Sequence, residues 1–185
     1  MFMYHSPRLY EFVLRRMHGP SLEKRYELIR QRTKGKRVLD VGCGTGMLGE
    51  YVDNYAGIDL NSGFLQYARK KGLDVLKLNV FDVKHYPKAD VYVVTDLLHH
   101  VQPNHHDLVA DLVKTKKGLI ICEPFDSSES RFKRILYSFL DFDLINPMFK
   151  EKWYTKQQLT DFYKDVVKAD EIIEMGGDLI AFKGI

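Results

Sequence analysis

The sequence predicts an α/β fold, a three-layer, doubly wound arrangement in which a mostly parallel sheet of seven strands is covered on both faces by helices. Three observations predict it. Apolar runs of four to six residues alternate with segments of helical period, the pattern of strands joined by helical crossovers. The first apolar run passes into a glycine-rich loop, as strands do where a sheet opens toward a ligand. At 185 residues with 45% hydrophobic content, the chain is long enough for one domain with a full core.

The order of elements follows from the pattern. Leu9, Phe12, Val13 and Met17 share one helical face; Gly19 and Pro20 then interrupt the chain, and Leu22, Tyr26 and Ile29 resume the period. Two short helices therefore precede the sheet as a cap over residues 1–34. Strands are expected at 37–41, 56–60, 75–79, 91–95, 119–122, 171–175 and 179–183. A helix opened by Asn61 and Ser62 should close at Arg69, Lys70, Lys71 and Gly72. Another, opened by Pro103 and Asn104, should close at 114–118, with Leu108, Val109, Leu112 and Val113 as the stripe that docks on the sheet. A further helix is expected at 47–52, after the glycine loop.

Composition narrows the function classes. The 28 Lys and Arg against 25 Asp and Glu give a net charge of +3 spread along the chain, which does not indicate obligatory nucleic-acid binding. No run reaches the length of a membrane span, and the first residues lack a signal-peptide layout, so a cytoplasmic protein is expected. Cys43 and Cys122 lie in a glycine loop and a buried strand, and both are read as free thiols.

Residues Val38 to Gly46 carry the strongest chemical signal. An apolar strand runs into Gly42, Gly44 and Gly46, which allow a sharp turn and bring backbone N–H groups against a ligand. One glycine would serve a turn with no ligand; three at alternate positions exceed that need. Asp40 sits inside the apolar strand, where a carboxylate is unfavourable unless something cationic or hydrogen-bonding meets it, and an amino-acid ammonium group would do so. Asp59, 17 residues beyond Gly42, ends the second strand where a carboxylate can take a ribose diol. Asp82 follows the third strand, where it could accept from an adenine amine, and Asp96 ends the fourth. A lone acid at a strand end is usually a turn residue; four in succession mark the crevice where open α/β sheets bind ligands.

The run Val38 to Gly46, the segment Gly57-Ile58-Asp59-Leu60, Asp82, and the segment from Thr95 through Asp96, Leu97, Leu98, His99 and His100 to Val101 resemble the successive motifs of class I S-adenosylmethionine-dependent methyltransferases. The resemblance covers nearly the whole chain. It implies a seven-stranded sheet whose last strand is antiparallel, within a single domain, 1–185, divided into a donor-binding half over 35–123 and an acceptor-side half over 124–185. By resemblance, Gly42, Gly44 and Gly46 line the methionine moiety, Asp40 faces its ammonium and Asp59 holds the ribose. Leu60 packs on adenine, Asp82 takes the adenine amine, and Asp96 and Leu97 sit beside the donor. The cofactor is then S-adenosylmethionine, with S-adenosylhomocysteine as product.

Two rivals share these residues. Gly44-Thr45-Gly46-Met47-Leu48-Gly49 formally matches the dinucleotide pattern G-x-G-x-x-G, but a nicotinamide site gives Asp40 nothing to meet. His99, His100, His105 and His106 with Asp107 invite a metal reading, yet the second pair opens an amphipathic helix and no cysteine or acid completes a ligand set. No metal is expected.

Methyl transfer needs positioning, dehydration and deprotonation of the acceptor. His99 and His100 follow the fourth strand, where the acceptor should approach, and either could be the general base, with His99 slightly favoured of the two; that both are ordinary loop residues of this motif is at least as strong a reading. Residues 125–163 hold ten of the 23 Phe, Trp and Tyr residues. Phe132, Tyr137, Phe139, Phe142, Phe149, Trp153 and Tyr154, with Tyr4 and Tyr10, are expected to wall an apolar pocket for a small molecule. The fourth strand ends in Asp96-Leu97-Leu98-His99 rather than an Asn or Asp followed by Pro-Pro-aromatic, which by resemblance argues against methylation of an adenine or glutamine amine. A protein acceptor and a non-catalytic donor-binding protein remain alternatives.

Overall fold

The structure, a computed structural model, describes residues 6–126 and 154–185. Among these residues the elements are α1 (Pro7–His18), α2 (Pro20–Arg32), β1 (Val38–Val41), β2 (Tyr55–Asp59), α3 (Ser62–Lys70), β3 (Val75–Lys77), β4 (Val91–Thr95), α4 (His105–Lys114), β5 (Gly118–Pro124), α5 (Lys156–Phe162), β6 (Glu171–Met175) and β7 (Asp178–Lys183). A π turn, Tyr163–Val167, extends α5. All seven expected strands form, in one sheet of order β3-β2-β1-β4-β5-β7-β6. Strands β1 to β5 run parallel to one another, and β7 is antiparallel to both β5 and β6.

Side-chain alternation decides which layer each strand residue joins. In β4, Tyr92 and Val94 face one core while Val91 and Val93 face the other; in β5, Leu119 and Ile121 oppose Ile120 and Cys122. The first core is closed by Leu108, Val109 and Leu112 of α4 and by Leu159 and Phe162 of α5. The second is closed by Leu22, Tyr26 and Ile29 of α2. Each fully buried leucine contributes about 1.5–3 kcal/mol over its exposed state. Helix α2 is thus a true layer of the sandwich, whereas α1 lies outside it, with Phe12 64% exposed. Asp40 shares its strand face with Val38, and so points toward the α2 side.

The expected helix at 47–52 is corrected to a single 3₁₀ turn, Met47–Glu50. So short a segment cannot recover the cost of helix nucleation, and Gly49 in its middle adds roughly 1 kcal/mol. Helix α3 opens as expected, the Asn61 side chain accepting from the Gly63 and Phe64 N–H groups. Tyr4, Phe132, Tyr137, Phe139, Phe142, Phe149 and Trp153 lie outside the described residues. No helix among the described residues is long and apolar enough to cross a membrane.

Candidate functional site

From β1 the sheet grows in both directions, through β2 on one side and β4 on the other, so the loops after these strands diverge and leave a crevice. A cavity of about 330 Å³ lies there. Asp40, Gly42, Gly44, Asp59, Asp96, Leu97 and His100 line it, together with Tyr10 and Leu14 of α1, Tyr26 of α2 and Phe64 of α3. Gly46, Leu60, Asp82 and His99 are not among its lining residues.

The glycine loop is shaped by conformation and by close approach. Gly42 has φ +78°, and a Cβ there would stand 2.8 Å from Leu97 Cδ1. Gly44 has φ +54°, yet the nearest side chains to its added Cβ, Phe64 and Tyr10, are 3.9 Å away. Gly42 is therefore fixed by packing as well as by the left-handed backbone, while Gly44 keeps open the space beneath the Tyr10 and Phe64 rings. Gly46 caps the 3₁₀ turn and makes room for Leu73.

Asp40 is 2% exposed. Its Oδ2 accepts a hydrogen bond of 2.9 Å from the Tyr55 hydroxyl, whereas Oδ1, also buried, has no partner. Burial, reinforced by the nearby carboxylates of Asp59 and Asp96, pushes its pKa from 3.8 up to about 7, against the opposing effects of the Tyr55 hydrogen bond and Arg25. A cation delivered through the cavity would meet an acceptor that the fold leaves unsatisfied.

Asp59 clamps the loop: its Oδ2 accepts the Gly44 N–H at 2.8 Å and its Oδ1 the Asn61 N–H at 2.7 Å. Each carboxylate oxygen has two lone pairs, so one on each stays available for a diol. Leu60 is 54% exposed beside it. Asp82 lies past β3, with its carboxylate 2.7 Å from His85 Nδ1.

Asp96 adopts φ +52°, and its carboxylate is held by both terminal nitrogens of Arg25, at 3.1 and 2.6 Å. Arg25 is wholly buried, and it also donates to Asp178 Oδ2 at 3.0 Å. Burial alone would raise the Asp96 pKa, but Arg25 and His18 outweigh it and hold the group at about 2. Asp96 therefore fastens α2 to the loop after β4. Arg25 sits three residues after Leu22 and four before Ile29, on the buried stripe of α2, and a cation at such a position is the signal that would have found it.

Glu123 is wholly buried at the end of β5. Its Oε1 accepts the N–H groups of Leu97 and Leu98, each at 2.6 Å, and its Oε2 lies 2.7 Å from His99 Nδ1. An acid that closes the apolar run Leu119 to Cys122 could have been singled out by the argument used for Asp40. His99 is 7% exposed and braced by this contact, whereas His100 is exposed and lines the cavity, the two rings 4.0 Å apart. His105 and His106 pack on Phe162, with centroids 5.5 and 4.8 Å away.

These features define a Rossmann-like fold of the methyltransferase type, in which the β6–β7 hairpin places β7 between β5 and β6. Residues 39–121 match the family described as a methyltransferase domain. No curated protein matches the sequence. Among solved structures, the chain is similar to a Thermotoga maritima S-adenosylmethionine-dependent methyltransferase described as a possible histamine N-methyltransferase, at 15% identity and TM-score 0.68, over 97% of this chain and 95% of that one. It is similar to the magnesium protoporphyrin IX methyltransferase of Synechocystis PCC 6803 with bound S-adenosylhomocysteine, at 13% identity and TM-score 0.67, over 95% and 87%. It also resembles the methyltransferase domain of bacterial CtHen1, at 14% identity and TM-score 0.64, over 88% and 98%. The family match spans the chain from β1 to β5, and the solved structures share its fold.

Proposed function

We propose that the cavity binds S-adenosylmethionine and that the protein transfers its methyl group directly to a small, partly apolar acceptor. The observation that carries this reading is Asp40, a buried carboxylate with one unpartnered oxygen at a cavity floored by left-handed glycines. The donor set fits: Asp40 offers an acceptor for the ammonium, Asp59 offers free lone pairs for the ribose hydroxyls, and Gly44 leaves room where a side chain would intrude. The sulfonium supplies an electrophilic methyl group and a neutral thioether as leaving group. What favours this ligand over a dinucleotide is the four-residue 3₁₀ turn after Gly46, which offers no long helix end for a pyrophosphate.

The chain's own residues orient and dehydrate the reactants. Tyr10, Leu14, Tyr26, Met47 and Phe64 give the cavity an apolar wall that excludes water. Leu97 is held by its N–H on Glu123, which fixes the loop that borders the donor. His100, which lines the cavity, accepts the acceptor's proton, and His99, braced by Glu123, orders the turn that presents it. Two solved structures similar to this chain are named for small molecules, magnesium protoporphyrin IX and possible histamine, which supports the small size of the acceptor.

The test is methyl transfer from labelled S-adenosylmethionine to a panel of phenols, amines, thiols and carboxylic acids, with a protein extract and an oligoribonucleotide as separate arms. Turnover with uncharged aromatic or aliphatic members is expected. Preference for a highly charged or macromolecular acceptor would overturn the acceptor class. Donor binding without transfer to any arm would favour a regulatory role.

A further inference from the structure

Tyr55 opens β2 opposite Val38, and Gly57 stands opposite Asp40 in the same parallel pair. Residues two apart on a strand share a face, so the Tyr55 ring extends along the sheet toward Asp40 over Gly57. Two glycines clear its course. A Cβ on Gly57 would lie 2.8 Å from the Tyr55 hydroxyl oxygen, and a Cβ on Gly49 would lie 2.9 Å from its ring carbons. At the end of that course the hydroxyl donates to Asp40 Oδ2 at 2.9 Å. A ring threaded between two glycines to deliver one hydrogen bond to a buried acid is more than apolar filling.

We propose that Tyr55 is a positioning residue for the methyl donor: by holding Asp40 Oδ2 it fixes the carboxylate so that the unpartnered Oδ1 receives the donor's ammonium group. The inference rests on the reading of the cavity as the donor site. A carboxylate with neither oxygen bound could rotate between orientations and would ionise less readily; the phenol removes the first freedom and favours the charged form. Burial raises the Tyr55 pKa well above its usual value, so the group stays a donor throughout the physiological range. The other groups that act on Asp40 are Arg25 and Tyr26 from α2, Asp59 from the end of β2, Asp96 beyond β4 and Cys43 in the glycine loop. Of these, Arg25 alone is cationic, and it is occupied by Asp96 and Asp178.

The experiment compares Tyr55→Phe with the wild type in two readouts: the titration of the Asp40 carboxyl carbon by NMR in the ligand-free protein, and S-adenosylmethionine affinity from acid to alkaline pH. Phenylalanine fills the same path, so the fold should persist. Asp40 should titrate at higher pH in the variant. Donor affinity near neutrality should fall about tenfold, the scale of one hydrogen bond to a charged group, and recover in part as the pH is raised. An unmoved Asp40 titration, or a loss of affinity by the same factor at every pH, would overturn the positioning role. Failure of the wild type itself to bind the donor would instead overturn the reading of the cavity, and the NMR titration distinguishes the two.

Discussion

Replacing Asp40 by Asn should separate what this acid does for the fold from what it does for the ligand. In the ligand-free protein the carboxyl pKa is raised from 3.8 to about 7, chiefly by burial. At about 1.4 kcal/mol per pKa unit, ionised Asp40 disfavours the folded state by roughly 4 kcal/mol, taken as an upper figure. The sign follows from the direction of the shift. Because the folded pKa lies above the unfolded one, this stability is fully present below the unfolded value and is lost as the pH rises through about 7. Asparagine keeps an acceptor for the Tyr55 hydroxyl and carries no charge, so the variant should escape the loss. Urea unfolding from about pH 5 to pH 8 should show the wild type falling relative to Asp40→Asn. Calorimetry should show the opposite order for S-adenosylmethionine, with the variant binding more weakly. Donor binding to the wild type below neutrality should also release a proton, visible in buffers of different ionisation enthalpy. A wild type that keeps pace with the variant across the range, or a variant that binds the donor equally well, would refute the reasoning.

Three further outcomes are expected. Gly42→Ala combines a left-handed backbone with a contact of 2.8 Å to Leu97, and should lower stability by about 2 kcal/mol. Gly44→Ala meets nothing tight, and should lose only about 1 kcal/mol yet weaken donor binding at least as much; urea midpoints and calorimetry check both. Arg25→Met leaves the buried Asp178 and the half-buried Asp96 without their cation and should cost roughly 3 kcal/mol near neutrality. Asp96, held at about 2, supplies stability above its unfolded pKa that is lost as the pH falls through that value, so the variant's deficit should narrow on acidification; unfolding at acid and neutral pH tests it. His100→Asn should remove a limb of the pH–rate profile with little change in donor affinity, whereas His99→Asn should destabilise the loop by breaking the contact with Glu123, seen in thermal unfolding.

The strands were legible because parallel strands covered on both faces read as apolar runs, and all seven form where those runs stand. Their order was not, since periodicity assigns each residue a face but gives no neighbour; the reversed β7 came only through the family resemblance. The helix expected after the glycine loop was over-read because a glycine and an apolar stretch suggest a helix start, while length and Gly49 decide against it. In the site, Asp40 and the glycines were legible because a charge in an apolar strand and repeated glycines both violate the local rule. Arg25, Asp178 and Glu123 obey the same logic and were passed over. Arg25 hides in a polar-looking helix, and its partners Asp96 and Asp178 are 71 and 153 residues away, a pairing only the fold reveals. Tyr55 lies just before the strand expected at 56–60 and carries no signal of its own; only the fold shows Gly49 and Gly57 making way for it.

The most direct test of the account is calorimetric titration of the wild type and Asp59→Ala with S-adenosylmethionine and with NAD. S-adenosylmethionine should bind the wild type, the variant should bind it more weakly because Asp59 both clamps Gly44 and faces the cavity, and NAD should produce no binding heat. Binding of NAD without S-adenosylmethionine, or of neither ligand, would contradict it.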